Sequence, residues 1–361
     1  MKIFFDYQIF FLQKYGGISK YFAKLTENLK KNNENVSILA PINKSSYCEN
    51  LKKKNILRGV NFYEYPRFTG KLINFVNSNF TKIILDNSNF NVLHLTYYNK
   101  IYKLKKNIAK VITVYDLIHE KFPLYYKKNS IKSKQEAINF ADHVICISKN
   151  TQKDLIDIYN IDKSKTSVIH LGVEKDNLRN KINLDKPSIL YVGDRKRYKN
   201  FNNFIKAYSL SNFLLKNFNV ICFGGGKFIK EEKDYFKSLN INSNNLIQIS
   251  GDDDLLNIYY RSCEFLIVPS IYEGFGLPLI EAMACGCPVL CANSGSLPEI
   301  ANKAANYFDP KNVDSIKLTM ENFLSNREEK NSLIKKGYEN VENFTWDKCA
   351  KKTLEIYKKL Q

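Results

Sequence analysis

PSIYEGFGLPLIEAMACGCP, residues 269–288, follows an apolar run, Phe265-Leu266-Ile267-Val268, that stops at Pro269 as a buried parallel strand would. Gly274, Gly276 and Pro278 then force a turn, and Leu279 to Ala284 resumes in strong helix formers. Glu273 therefore sits in a loop at the C-terminal end of a strand, and Glu281 lies in the first turns of a helix. In an open α/β sheet, ligands bind in the crevice outside the strand C-termini. A helix start in that position adds free backbone N–H groups. One carboxylate comes off the loop and one off the helix, so both can address one ligand from different sides as acceptors for hydroxyl hydrogens. Singly, Glu273 reads as a solvated loop residue and Glu281 as a charge favoured by the helix dipole. Fixed together with the glycines and prolines, they read as a pair that holds a sugar or a ribose.

Around this stretch, 361 residues suit two α/β domains of similar size. The apolar share, 44%, with 24 Phe and 23 Tyr, is that of a globular chain. No apolar run is long enough to span a bilayer. The first residues, MKIFFDYQIFFLQKYGG, carry Asp6 and Gln8 inside the apolar part and read as a first strand rather than a signal peptide. Eight cysteines form no C-x-x-C pair, and Cys285, Cys287 and Cys291 have no neighbouring histidine to complete a zinc-like set. They are expected to be reduced thiols of a cytoplasmic protein. Lys and Arg number 55 against 36 Asp and Glu, net +19. Codon bias, an acidic nucleotide, an anionic membrane surface and nucleic acid all fit such a balance. No nucleic-acid module accompanies it, so nucleic acid ranks last.

The apolar runs alternate with helical patterns through both halves. Strands are predicted at Lys2–Phe5, Val36–Ala40, Val60–Tyr65, Val92–Leu95, Val111–Tyr115, Val144–Ile147 and Val168–Leu171. Helices are predicted at Ile18–Lys31, Lys71–Leu85 and Ile131–Phe140, with a mobile lysine-rich loop over 43–55. The charged segment 174–186 reads as a linker between a first domain, 1–173, and a second, 187–343. The second restarts the alternation, with strands at Ile189–Val192, Val220–Phe223, Leu246–Ile249, Phe265–Val268 and Val289–Cys291. An amphipathic helix fills the final segment, 344–361. The fold class expected is α/β: two facing Rossmann-like domains with a cleft between them.

Further candidate residues lie in loops at strand ends. Gly16 and Gly17 open the first helix, where paired glycines allow close backbone approach, but the spacing lacks the dinucleotide fingerprint and disfavours a nicotinamide cofactor. After the strand ending at Val192, Gly193-Asp194-Arg195-Lys196-Arg197-Tyr198-Lys199 presents four cations, either a solvated cluster or the charge a diphosphate leaving group needs. Asp116 and His119 follow a buried strand, as sugar-side or acceptor-side candidates or as a local hydrogen-bonding pair. Gly224-Gly225-Gly226-Lys227 lacks phosphate-loop spacing, which leaves nucleotide hydrolysis unsupported. Ser250 follows another strand, Leu246–Ile249. No metal-ligand motif is present.

Glu273 and Glu281, with the Gly274, Phe275, Gly276 and Leu277 turn between them, resemble the E-x7-E signature of the retaining nucleotide-sugar glycosyltransferases of family 4, whose fold is called GT-B. Gly16-Gly17, the basic loop, Ser294-Gly295-Ser296-Leu297-Pro298-Glu299 and Phe344-Thr345-Trp346 resemble the same family, so the likeness spans nearly the whole chain. The family places a histidine where this sequence has Tyr115, and often an arginine where it has Tyr198. The resemblance implies a catalytic set of Glu273, Arg195 and Lys199 with His119 and Asp116, and a donor-binding set of Gly16, Gly17, Gly274, Phe275, Gly276, Leu277, Glu281 and Ser250. In that scheme Glu281 accepts from the ribose, Glu273 holds the donor sugar, and Arg195, Lys199 and the glycine backbone stabilise the departing diphosphate. It further implies metal-independent hexose transfer with retention, without a cofactor, from GDP-mannose ahead of a UDP-hexose. The acceptor implied is a glycan or lipid-linked saccharide in lipopolysaccharide or other surface polysaccharide synthesis. The C-terminal helix would brace the first domain. A cytoplasmic enzyme touching the inner face of an anionic membrane is the implied setting. A glycosidase reading of the two carboxylates fits the glycine and basic loops poorly. A non-catalytic nucleotide- or glycan-binding protein on the same fold is the alternative.

Overall fold

A computed structural model describes the chain except for Lys127 and residues 175–179. Thirteen strands are described, all paired in parallel. They are β1 (Lys2–Phe5), β2 (Asn35–Asn43), β3 (Leu57–Asn61), β4 (Val92–Leu95), β5 (Ala109–Val114), β6 (His143–Cys146), β7 (Thr166–Val168), β8 (Ser188–Val192), β9 (Asn219–Phe223), β10 (Leu246–Ile249), β11 (Phe265–Val268), β12 (Val289–Ala292) and β13 (Ala305–Phe308). β4, β6, β11 and β12 are buried at every position, as strands of a parallel sheet covered by helices on both faces are, and β4 and β6 each bury a histidine, His94 and His143, among apolar residues.

Two compact units result, one of Met1–Gly172 with Trp346–Gln361 and one of Val173–Thr345. The N-terminal unit carries a seven-stranded sheet ordered β3-β2-β1-β4-β5-β6-β7. The C-terminal unit carries a six-stranded sheet ordered β10-β9-β8-β11-β12-β13. In each, the order turns back on itself beside one strand: β1 lies between β2 and β4, and β8 between β9 and β11. Such a switch point leaves a crevice, because the connections leaving the two adjacent strands depart to opposite faces.

The helix Trp346–Lys359 packs in the N-terminal unit against the helix Gly17–Lys31, with Trp346, Cys349, Ala350, Thr353 and Tyr357 buried. His94 of β4 ties it down: Nδ1 meets the Tyr357 hydroxyl at 2.5 Å and Nε2 meets Thr113 Oγ1 at 2.9 Å. Burial alone pushes the His94 pKa down to about 3.

Several boundaries differ from the sequence-based expectation. The segment 43–55 contains a helix, Cys48–Lys53, because Cys48 and Leu51 are buried. The strand expected at Val60–Tyr65 is β3, three residues earlier, and that at Val168–Leu171 is Thr166–Val168. The helices Lys149–Tyr159, Val313–Ser325 and Arg327–Val341 complete the layers. The expected linker, 174–186, falls partly outside the described residues. Its remainder belongs to the C-terminal unit, where Asn180 O accepts from Arg261 Nε at 2.7 Å and Ile182 N–H donates to Ser262 Oγ at 3.0 Å. The eight cysteines are free and buried.

Candidate functional site

At the switch point of the C-terminal sheet, the loop after β8 carries Lys199 and the loop after β11 carries Glu273. Lys199 Nζ donates to Glu273 Oε1 at 2.7 Å, with the side chains 22% and 13% exposed. The two loops are also joined through the backbone, Ile271 N–H to Tyr198 O at 2.8 Å. Asn200, at φ +58°, turns the chain out of the basic loop and donates from Nδ2 to Pro269 O at 3.0 Å and Pro310 O at 2.7 Å. The ion pair is thus placed by three connections, each to the end of a buried strand or the chain just beyond one.

Glu273 is held from its other side by the turn after β12. Ser296 Oγ donates to Glu273 O at 2.9 Å, and Ser294 Oγ donates to Ile271 O. Between these serines, Gly295 has φ +59°, and a Cβ there would stand 3.1 Å from Glu273 N, so both conformation and space require glycine. Gly276 begins the helix Leu277–Ala284 at φ +95°, where a Cβ would meet Leu297 Cδ2 at 2.8 Å. Phe275 is buried edge-on against Phe344, their centroids 5.9 Å apart. Leu277 is the first helical residue, two positions earlier than expected, which places Glu281 on the fifth. Glu281 is 9% exposed, and the Tyr260 hydroxyl donates to its Oε2 at 3.4 Å. Burial, and next the Glu281 charge, raise the Tyr260 pKa far above its ordinary value, so this phenol stays a donor.

Arg195 does not join Lys199. Its side chain is 2% exposed and its guanidinium turns to the far side of β8, where Nε donates to Glu232 Oε1 at 2.7 Å. Nη1 donates to Gly224 O at 3.2 Å and Nη2 to Gly226 O at 2.9 Å, while the Phe228 ring lies beneath at 4.7 Å. For Glu232, burial works to raise the pKa, but the hydrogen bonds from Arg195 and the Ile229 N–H, with the Arg195 charge, together outweigh it and hold the carboxyl below its ordinary value. Arg195 is therefore a brace for the Gly224–Lys227 turn, where the sequence suggested a free charge beside the leaving group. Ser250 belongs to the neighbouring turn and accepts from Gln248 Nε2 at 2.8 Å.

In the N-terminal unit, Gly16 and Gly17 lead into the helix Gly17–Lys31 as expected. The helix start is covered by its own chain: Gln13 Oε1 accepts from Ser19 N–H at 3.3 Å and overlies Gly16. Asp116 Oδ1 accepts from Ile118 N–H at 3.0 Å, closing a short turn. His119 stacks on Tyr126, centroids 4.1 Å apart, and its Nδ1 is buried without a hydrogen-bond partner among the described residues. Burial, then the Lys134 charge, lower its pKa against the pull of Asp116 and Glu120. Tyr115 is buried among Tyr21, Phe22 and Tyr98 and is a core residue. Sequence reasoning missed Lys134, 3% exposed, which donates to Asp116 O at 3.0 Å and Glu120 Oε2 at 2.9 Å. It missed Asp6 too, which entered only as an interruption of an apolar run. No residue type or spacing marks either as buried.

Among the described residues, no group of three His, Cys, Asp or Glu could hold a metal ion, and no helix is long and apolar enough to cross a membrane. Residues 15–177 match the family described as Glycosyltransferase Family 4, and residues 172–340 match Glycosyl transferases group 1. An uncharacterised glycosyltransferase of Methanocaldococcus jannaschii is 28% identical over 356 residues, 96% of this chain and 95% of its own. The O-antigen chain mannosyltransferase B of Escherichia coli is 25% identical over 283 residues, 73% of this chain and 74% of its own. Among solved structures, sucrose-phosphate synthase of Thermosynechococcus elongatus shares the fold, with a TM-score of 0.77 at 19% identity over 99% of this chain and 98% of that one.

Proposed function

The chain belongs to the family 4 and group 1 glycosyltransferases, and on that premise we propose that it moves a hexose, mannose first, from a nucleoside-diphosphate sugar to a lipid-linked glycan. The observation that carries the donor side is the Lys199–Glu273 pair, 2.7 Å long and partly exposed at the sheet's switch point, with Glu281 on the fifth residue of the helix that follows. Glu281 accepts from the ribose hydroxyls. Glu273 positions the donor sugar's hydroxyls. Lys199 supplies the positive charge that the departing diphosphate requires, so the scheme assigns no metal. Transfer proceeds with retention: the diphosphate leaves from the face that the acceptor hydroxyl enters, and a phosphate oxygen takes the acceptor's proton. Arg195 acts through the Gly224–Lys227 turn as a positioning residue. Mannose and a surface polysaccharide are favoured by the likeness to an O-antigen mannosyltransferase, and GDP leads UDP for the same reason.

Thermal shift with GDP, UDP, ADP and their sugars tests the donor half, with Glu281→Ala and Lys199→Ala alongside. One nucleotide raising the melting temperature of the wild type, and losing that effect in both variants, supports the assignment and names the base. A wild type that no nucleotide stabilises removes the basis of the proposal.

A further inference from the structure

The helix Gly70–Asn87 of the N-terminal unit is turned with its apolar side outward. Toward the sheet it buries Ile73, Asn77, Ser78, Thr81 and Leu85, three of them polar. Asn77 satisfies its amide on β2, accepting from Ile42 N–H at 2.9 Å and donating to Ile42 O at 2.8 Å. To solvent it shows Leu72, Phe75, Phe80 and Ile83, 64%, 67%, 55% and 56% exposed, and Phe68 in the preceding turn is 100% exposed. A helix that only covered the sheet would carry these residues inward.

Beside this face is a cavity of ≈ 580 Å³ whose lining includes Lys82, Lys100, Lys103, Lys106 and Lys110 and no carboxylate. Lys106 is taken by Ser88 O and Asn89 Oδ1, and Lys110 by Asp142. The ammonium groups of Lys82, Lys100 and Lys103 have no partner among the described residues. Phe75, Ser78, Asn79 and Lys82 are spaced as one row of the helix surface, and the last three line the cavity, so cations and apolar face adjoin.

We propose that this face seats the protein on an anionic phospholipid bilayer, with Leu72, Phe75, Phe80 and Ile83 entering the acyl boundary and Lys82, Lys100 and Lys103 taking the phosphate headgroups. Apolar side chains bordered by unpaired cations match the layered chemistry of a lipid surface. A protein partner would have to neutralise three lysines, a residue depleted from interface cores. The inference deepens the lipid-linked acceptor in the reading above, and because vesicle binding needs neither donor nor transfer, each can fail alone.

Co-sedimentation of the full chain with vesicles of phosphatidylcholine, with and without phosphatidylglycerol, tests it at low and high salt. The wild type should prefer the phosphatidylglycerol vesicles. Phe75→Asp with Ile83→Asp should weaken binding about tenfold or more, since both side chains leave the hydrocarbon. Lys82→Gln with Lys100→Gln and Lys103→Gln should lose the preference for phosphatidylglycerol, about tenfold, and its salt sensitivity. Neither variant should change the melting temperature or the nucleotide response. Absence of wild-type binding, or binding unchanged in both variants, overturns the proposal. So does a dimer that Phe75→Asp and Ile83→Asp dissolve in a protein that ignores vesicles, which would give the face to a second copy.

Discussion

The two sheets reach the same topological point and treat it oppositely. After β8 and β11, Lys199 and Glu273 meet in an ion pair whose side chains remain partly exposed. After β1 and β4, Asp6 and Thr96 meet with no exposure at all: Thr96 N–H donates to Asp6 Oδ1 at 2.9 Å and Thr96 Oγ1 to the same oxygen at 2.5 Å. Gln8 Nε2 supplies the other oxygen at 2.6 Å, while Gln8 Oε1 accepts from Lys100 N–H at 2.8 Å. Burial raises the Asp6 pKa against these hydrogen bonds. One crevice keeps a partly exposed ion pair and the other is filled from within. A switch point makes a site available, and the residues after the strands decide whether it is used.

The contrast breaks most sharply at Lys199. Lys199→Ala should lower kcat by about 10²–10³, the scale for removing one group that meets charge developing in a transition state. Because the ion pair is partly exposed, the C-terminal unit should lose only about 0.5 kcal/mol. Initial rates and calorimetry on one preparation separate the two effects, and a large loss of stability with little loss of rate would reverse the roles. Arg195→Ala should do the opposite within the same unit, costing about 3 kcal/mol because a half-buried carboxylate and the 224–227 carbonyls lose their buried partner. Denaturant unfolding reads this, and Arg195→Ala stable to within 0.5 kcal/mol (about the error of such data) would contradict the brace.

In the N-terminal unit, Asp6→Ala should cost about 2 kcal/mol through buried donors left unpaired, with the nucleotide response of the folded fraction unchanged. A further effect is set by pH. All four histidines belong to this unit, and those whose pKa is displaced (His94, His119 and His143) are lowered, burial first among the causes. A histidine depressed in the folded state contributes stability that is present above its unfolded value, near 6.5, and lost as pH falls below it. For His94 the loss continues down to about 3, at about 1.4 kcal/mol per pH unit. Calorimetry between pH 7 and 4 should therefore show the N-terminal unit melting first on acidification, and His94→Gln should flatten that dependence.

Much of the site was readable because it is local. Glu273, Gly274, Gly276 and Glu281 lie in one strand-turn-helix stretch whose apolar run and punctuation are visible in order. Lys199 was readable as the last cation of a loop after a strand. The pairing of Arg195 was not readable, because Glu232, which takes it, lies 37 residues further on and nothing in the basic loop announces it. The helix Gly70–Asn87 was foreseen as a helix and its facing was not, since apolar periodicity marks a face without saying what covers it. Likewise the segment 43–55 looked like a loop by composition, and two buried side chains, Cys48 and Leu51, were enough to fold part of it.

The path of the chain carries one more consequence. Because the helix Trp346–Lys359 completes the N-terminal unit, the C-terminal unit is an insertion within it. During synthesis the inserted unit has all its residues first, while the sheet begun at Lys2 waits for Tyr357 to reach His94. The half that starts first is finished last, and in that interval the Gly17–Lys31 helix lacks the helix that packs on it. Chains shortened before residue 346 should thus hold a folded second unit beside an open first one.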